Sequence, residues 1–352
     1  MIDNAKRAVA MKMTERRYTV RFLTPAFLGD AEQNGRWRTP PFKHLLREWW
    51  RVVYAAEKNF KVDLEAMRRE EGLLFGHTWL EDDYYMKNGR REKTAARRSR
   101  IRLRLNSDVV EPAKVWYQGT QRGVQPLSKG LETSYAWFGL VDRGAGLPDR
   151  TALKADANEG CRQIYLAYPD ESSLDRRMAE VVRLIATFGL LGSRSRGGWG
   201  ALHVKDVEPL KKAELEKYAR PLDECLKSDW AMSIAKDAKG LCVWESRNQA
   251  FRAWHEVMRE IAKLRREVRQ KLKNVQGKDL RPALGFADTG RMPSPLRWKV
   301  FPQNDRFAFR VFALPHRLPD ASNKRISLDD LLKAWQEVCR TLDSSNAVER
   351  VR

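Results

Sequence analysis

Residues Gly189-Leu-Leu-Gly-Ser-Arg-Ser-Arg-Gly-Gly-Trp-Gly200 pack five glycines and two arginines into one short stretch. Glycine admits backbone conformations and close approaches that a Cβ forbids. Backbone N–H groups beside arginines make a surface suited to a chain of phosphates. On this reading Gly192, Ser193, Arg194, Ser195 and Arg196 form a grip, with the two guanidiniums on phosphates. Gly197 and Gly198 would let a ligand backbone come close, and Trp199 is equally suited to core packing or to stacking on a ring. The stretch is neither a dinucleotide fingerprint nor a P-loop, because no strand precedes it and no Gly-Lys-Ser/Thr ends it. No cofactor is therefore expected.

Two further basic groups point the same way. Lys43, Arg47 and Arg51 recur every four residues and share one face of a helical segment whose other side is apolar. Residues Met86 to Arg104 hold nine Lys/Arg against one acid, Glu92. The part from Lys87 to Arg100 lacks an apolar pattern and is expected to be a mobile loop. So dense a run of like charge repels itself unless an anion neutralises it, so Arg90, Arg91, Arg97, Arg98 and Arg100 are candidate anion contacts. The whole chain of 352 residues carries a net charge of +21. Such an excess favours a polyanion, because neutralising its phosphates releases counterions. A third basic run, Lys263 to Lys273, suits either nucleic acid or an acidic neighbouring protein.

Metal and disulfide chemistry have little support in the spacing. His44, His77, His203, His255 and His316 show no ligand spacing, and Cys161, Cys225, Cys242 and Cys339 include no C-x-x-C pair. No metal site is expected, and the thiols read as free and buried in a reducing cytoplasm. No apolar run approaches a membrane span, and Met1 to Arg17 lacks the core of a signal peptide.

The elements that would position these residues follow from periodicity. Tyr18–Thr24 alternates as a strand ending at Pro25; Pro41 opens a helix carrying Leu45, Leu46, Trp49, Trp50 and Val53. Ile101–Leu105 alternates with Arg102 and Arg104 on one face, and Cys161–Tyr168 reads as another strand. A helix from Leu174 to about Leu190 runs into the glycine stretch, and Trp199–Val207 alternates again. The order β-α-β-β-α-β is the ferredoxin-like arrangement, an antiparallel sheet with two helices on one face. This first domain spans residues 18–208, with a turn-rich insertion at about 107–159. The rest, 209–352, reads as a charged linker, a strand candidate near Leu241 to Trp244, a long helix (about Ser246 to Lys273), two strands and a last helix opened by Ser327. The fold class is thus α+β with two ferredoxin-like (RRM-like) domains, the second reduced or irregular.

Three pieces together resemble one family. They are Phe22-Leu-Thr-Pro-Ala-Phe-Leu-Gly29; Arg38-Thr-Pro-Pro-Phe-Lys43 followed by Leu46-Arg-Glu-Trp-Trp-Arg51; and the Gly189–Gly200 stretch. They are similar to the RAMP superfamily of CRISPR proteins, and within it to the family of subunit one of the Cmr (type III-B) effector complex. Arg291-Met-Pro-Ser-Pro-Leu296 resembles the opening of that family's second domain. The sequence departs from the pattern at His44, where the family has glycine. The resemblance spans about Tyr18 to Leu342. It implies a non-catalytic RNA-binding subunit of a cytoplasmic ribonucleoprotein. Such a subunit holds the 3′ part of the CRISPR RNA and helps capture target RNA beside other Cmr subunits. A RAMP endoribonuclease is the alternative. Its nearest candidates are His44, near where related nucleases carry an acid–base histidine, and Asp30, near where others carry a cleaving aspartate. No convincing catalytic set accompanies either.

Overall fold

The structure, a computed structural model, describes residues 12–32, 34–78, 84–93, 96–106, 136, 140, 151–155, 161–248, 251–287, 292–319 and 326–351. Most of the expected insertion at 107–159, and Arg291, lie outside the described residues. Two successive β-α-β-β-α-β units organise the chain. The first comprises β1 (Met13–Phe22), α1 (Thr39–Glu57), β2 (Arg102–Leu105), β3 (Arg162–Pro169), a helix at Ser172–Phe188 and a short strand at Leu202–Val204. Another helix, α2 (Leu64–Phe75), interrupts it after α1; the Ser172–Phe188 helix is then α3 and the Leu202–Val204 strand β4. The sheet order is β2-β3-β1-β4, antiparallel throughout. Alternation sends Val20 and Phe22 of β1 inward, against the face that α1 and α3 cover. Trp49 and Trp50 of α1 are fully buried in this core.

The second unit comprises β5 (Val243–Ser246), α4 (Trp254–Lys271), β6 (Leu296–Gln303), β7 (Arg306–Ala313), α5 (Leu328–Asp343) and β8 (Val348–Arg350). Its sheet order, β6-β7-β5-β8, repeats that of the first, again antiparallel. The expected reduction of this second copy is therefore corrected. Its last strand is three residues with one buried side chain, Val348, too short to show a period of two. The long helix also starts later than its periodicity predicts. Glu256 accepts the N–H groups of Arg252 and Ala253 at 2.8 and 3.4 Å and so fixes the helix start at Trp254. Ser327 caps α5 as its sequence predicts, accepting the Asp330 N–H at 3.1 Å. Between the units, Ala219–Pro221 and Ile234–Asp237, where the charged sequence from Lys211 to Asp237 predicts helix and linker, form a small three-stranded sheet with Gly240–Leu241. The strand candidate near Leu241 to Trp244 falls on Gly240–Leu241 and β5.

The second sheet is covered on both faces. Trp298, Val300, Phe309 and Val311 lie on the face toward α4 and α5, whereas Arg297, Lys299, Arg310 and Phe312 face the first unit. Phe312 packs on Phe188 at 4.5 Å between ring centroids, and Phe188 stacks on Trp49 at 5.4 Å. Lys299 Nζ donates to the Ile185 and Ala186 carbonyls at 3.2 and 2.7 Å, and Arg310 to that of Thr187 at 2.9 Å. They lie at the negative dipole end of α3, where the last turn leaves Ala186 and Thr187 short of helical partners; the Ile185 carbonyl also accepts the Gly189 N–H at 2.6 Å. The two units thus share one continuous core. Among the described residues no helix is long and apolar enough to cross a membrane.

Candidate nucleic-acid interface

The glycine stretch leaves α3 at Gly189 and folds back on the turn after β1. Ser193 N–H donates to Phe27 O (3.0 Å), Gly200 N–H to Pro25 O (3.0 Å) and Leu191 N–H to Gly200 O (2.9 Å). The N–H groups of Ser195, Gly197 and Gly198 close tight turns onto Gly192, Arg194 and Ser195 at 2.9–3.3 Å. Thr24 Oγ1 completes the joint by donating to Gly198 O at 2.7 Å. Much of the N–H cradle expected for phosphates is therefore engaged within the protein.

The side chains follow the same logic. Gly197 and Gly198 are buried, and the close approach they permit is that of α4. A Cβ on Gly198, whose φ is +102°, would stand 2.9 Å from Met258 Sδ; one on Gly197 would meet the Arg265 guanidinium at 2.5 Å. Trp199 is fully buried, its indole N–H donating to Ala136 O at 3.0 Å, so it offers no face for stacking. Arg196 donates to the carbonyls of Pro293 and Ser294 at 3.0 and 2.9 Å, and its own carbonyl accepts the Trp298 N–H at 3.2 Å. Burial beside Arg297 pulls Arg196 down to about 9. Arg194 alone of this set is exposed. The stretch is chiefly a joint between the two units.

On α1, Arg47 and Arg51 turn onto Glu71 of α2, which is 2% exposed. Arg47 Nε lies 2.6 Å from Oε1, and Arg51 reaches Oε2 and Oε1 at 2.6 and 2.8 Å. Burial pushes the Glu71 carboxyl up, but Arg51 and then Arg47 outweigh it and hold it below the usual carboxylate range. Next to Arg47 on the same helix, Glu48 pairs with Arg297 of β6 at 2.5 Å. Burial raises that carboxyl too, yet Arg297 and, less closely, Arg196 bring it down to about 2. The basic face of α1 is thus half solvated and half clamped.

What remains open is a cleft of ≈ 550 Å³ between α1, α2 and the segment after α2. Lys43, Arg47, Arg68, His77 and Arg97 line it with Ser99, and among the described residues its lining holds no carboxylate. Burial, then the neighbouring Arg47, lowers Lys43, as expected where cations converge. Gly76 shapes the rim: at φ +84° it ends α2, and a Cβ there would stand 2.8 Å from Arg97 O. The structure brings together Lys43, Arg47 and Arg97 of the sequence candidates. Arg68 does not stand out in the sequence, because α2 carries three acids against two bases and shows no basic stripe.

The expected mobile loop Lys87–Arg100 is, where described, a ribbon. His77–Thr78 pairs with Ala96–Arg97, and Tyr84–Lys87 with Arg90–Lys93. Asn88 and Gly89, both at positive φ, make its two-residue turn. An Asn-Gly between short segments is the sequence signal for such a turn. Arg90 and Arg91 are exposed beside that turn, with Arg91 over the Tyr84 ring at 4.0 Å. Arg98 is exposed, and Arg100 pairs with Glu171 at 2.5 Å. The face of the first sheet away from its helices is basic as well: Arg17, Arg102 and Arg104 are exposed, Arg104 over Tyr165 at 4.2 Å.

The two catalytic candidates occupy plain settings. Asp30 accepts the N–H groups of Glu32 and Asn34 at 3.1 and 2.8 Å and lies 2.9 Å from Arg36 Nε, so it caps a turn. His44 is exposed on α1. His203 accepts a hydrogen bond from Arg21 at 3.2 Å, and burial, then Arg21, lowers it to about 4, leaving it neutral.

No family model and no curated protein matches the chain. Solved structures do. Cmr1 from Pyrococcus furiosus, in its apo form, superposes with a TM-score of 0.51 at 17% identity, covering 91% of this chain and 93% of that one. A chain of the Type III-B Cmr-beta complex bound to cognate target RNA and AMPPnP in the presence of ssDNA matches at 0.46 and 11%, covering 94% and 99%. A chain of the Cmr-beta complex bound to cognate target RNA matches at 0.43 and 10%, covering 93% and 99%. The first of these establishes a Cmr1-like fold along nearly the whole chain.

Proposed function

We propose that this chain is an RNA-binding RAMP subunit of a type III-B CRISPR effector, gripping RNA without cutting it. Both β-α-β-β-α-β units are read as ferredoxin-like, RNA-recognition-type folds. The partners are CRISPR RNA, held at its 3′ part, target RNA and neighbouring Cmr subunits, in the cytoplasm. The observation that carries the reading is the cleft in which Lys43, Arg47, Arg68 and Arg97 converge, with His77 beside them. Two exposed arginines beside the ribbon turn, Arg90 and Arg91, extend the same charge. Point charges of one sign along a groove suit a phosphate backbone read without base specificity. Support for a non-catalytic role comes from Asp30, whose oxygens serve a turn and Arg36.

Equilibrium binding to a labelled single-stranded RNA, followed over a salt series with Mg²⁺ present, tests this. Affinity should fall steeply with salt, by roughly 0.7 log units per decade for each phosphate contact, and the RNA should remain intact. Salt-independent binding would remove the electrostatic basis of the proposal. A discrete RNA product lost in Asp30→Ala or His44→Ala would replace it with the nuclease.

A further inference from the structure

Cys242 and Cys339 are 97 residues apart in sequence, and their sulfurs lie 3.7 Å from each other in the core of the second unit. An Asp237 carboxylate oxygen completes a set of three donor atoms, all within 4.8 Å of one another. Two thiolates on one tetrahedral zinc, each at about 2.3 Å, stand about 3.8 Å apart. A disulfide, by contrast, needs about 2.05 Å. The sulfur separation therefore already matches a shared ion, and closing a disulfide would require both side chains to move.

The donors come from three elements that are fixed by other contacts. Asp237 ends the Ile234–Asp237 strand; Cys242 links the small sheet to β5; Cys339 lies on α5. The Cys242 backbone is pinned on both sides, its N–H donating to Ala235 O at 2.8 Å and its carbonyl accepting from Ala313 at 3.1 Å. Arg350 holds both Asp237 oxygens, at 2.6 and 2.7 Å, and Lys239 N–H adds a third bond at 2.8 Å. A carboxylate has about four acceptor positions, so one remains for an ion. Arg350 also binds Asp343 at 2.6 Å, and Trp244 donates to the same carboxylate at 2.9 Å. Ligands held by such an outer ring keep their orientation. Cys339, Asp237 and Asp343 line a cleft of ≈ 670 Å³, which gives an ion entry and leaves room for a water as fourth ligand.

We propose that Asp237, Cys242 and Cys339 form a binding site for one thiophilic divalent ion of the Zn²⁺ class. Binding exchanges two thiol protons, released to solvent, for one dication, so the net charge of the cluster is unchanged and no oxidant is required. The ion joins the small sheet to α5, a structural staple independent of the RNA surface.

Titration of the purified full-length protein with Cd²⁺, in the presence of a phosphine reductant, tests the site. A thiolate-to-metal charge-transfer band should grow and saturate at one ion per chain. Cys161→Ser should retain the band and Cys339→Ser should lose it. Asp237→Asn, which keeps both sulfurs, should bind at least about tenfold more weakly. It also serves as the decisive variant if Cys339→Ser does not fold. Zn²⁺ should raise the melting temperature of the wild type and not of Cys339→Ser. The proposal is overturned if no saturable band forms, or if the band persists unchanged in Cys339→Ser. It is equally overturned if Asp237→Asn binds as the wild type does, or if the wild type ignores Cd²⁺ while peroxide closes a Cys242–Cys339 disulfide.

Discussion

Arg47 and Arg51 share a helix face by spacing alone, which is visible in the sequence; the carboxylate between them, Glu71, lies 20 and 24 positions away and is not. The same holds for Glu48, one position from Arg47 yet turned to Arg297, 249 positions on. Charges that read as a solvated face are partly consumed in clamps, and only burial reveals which. Glu48 gives this a measurable form. Its folded-state value of about 2 lies below the ordinary 4.5. A depressed carboxylate stabilises the fold above its unfolded value, and that contribution disappears as pH falls through the folded one. The difference corresponds to roughly 3 kcal/mol. Glu48→Gln should therefore lose about that much stability at pH 7 in denaturant unfolding, while the gap between variant and wild type should close as pH drops from 4.5 toward 2. Parallel stability curves over that range would show that Arg297 is not held by this charge.

At the scale of elements, the strands and helices of the first unit were legible because β1, β3, α1 and α3 each carry a strong period. Helix α2 was not: five charges in twelve residues blur its stripe, though Asp63 caps it by accepting two N–H groups at 2.9 and 3.2 Å. The glycine stretch was recognisable as special, but the reason for its glycines lay in α4, about 60 residues later, whose side chains abut Gly197 and Gly198. This distinction is testable. Gly198→Ala forces a Cβ into a φ of +102° and against Met258. A strained backbone of that kind costs roughly 1–3 kcal/mol, so the melting temperature should drop by several degrees. RNA affinity of the folded protein should stay within about threefold of wild type, because the residue faces the joint between units rather than the cleft. A variant that keeps its melting temperature but loses RNA would return the glycines to the ligand.

The whole molecule is a repeated unit fused through one core, and that fusion explains what sequence could not show. Arg297 and Lys299 alternate with Trp298 and Val300 as a strand with one solvated face would, yet both cations are buried, at 4% and 1% exposure, because the first unit covers that face. Overall charge was the most portable signal: +21 says polyanion wherever the arginines sit. Where they converge required the fold, since Lys43, Arg68 and Arg97 come from α1, α2 and the ribbon. The measurement that bears most directly on this account is the salt dependence of RNA affinity in wild type and in Arg68→Glu/Arg97→Glu, with thermal melting to verify folding. The double variant should bind at least about tenfold more weakly near physiological salt, with a log–log slope shallower by roughly 1.4 for two lost phosphate contacts. An unchanged affinity and slope in a folded double variant would contradict the assignment of the cleft as the RNA grip.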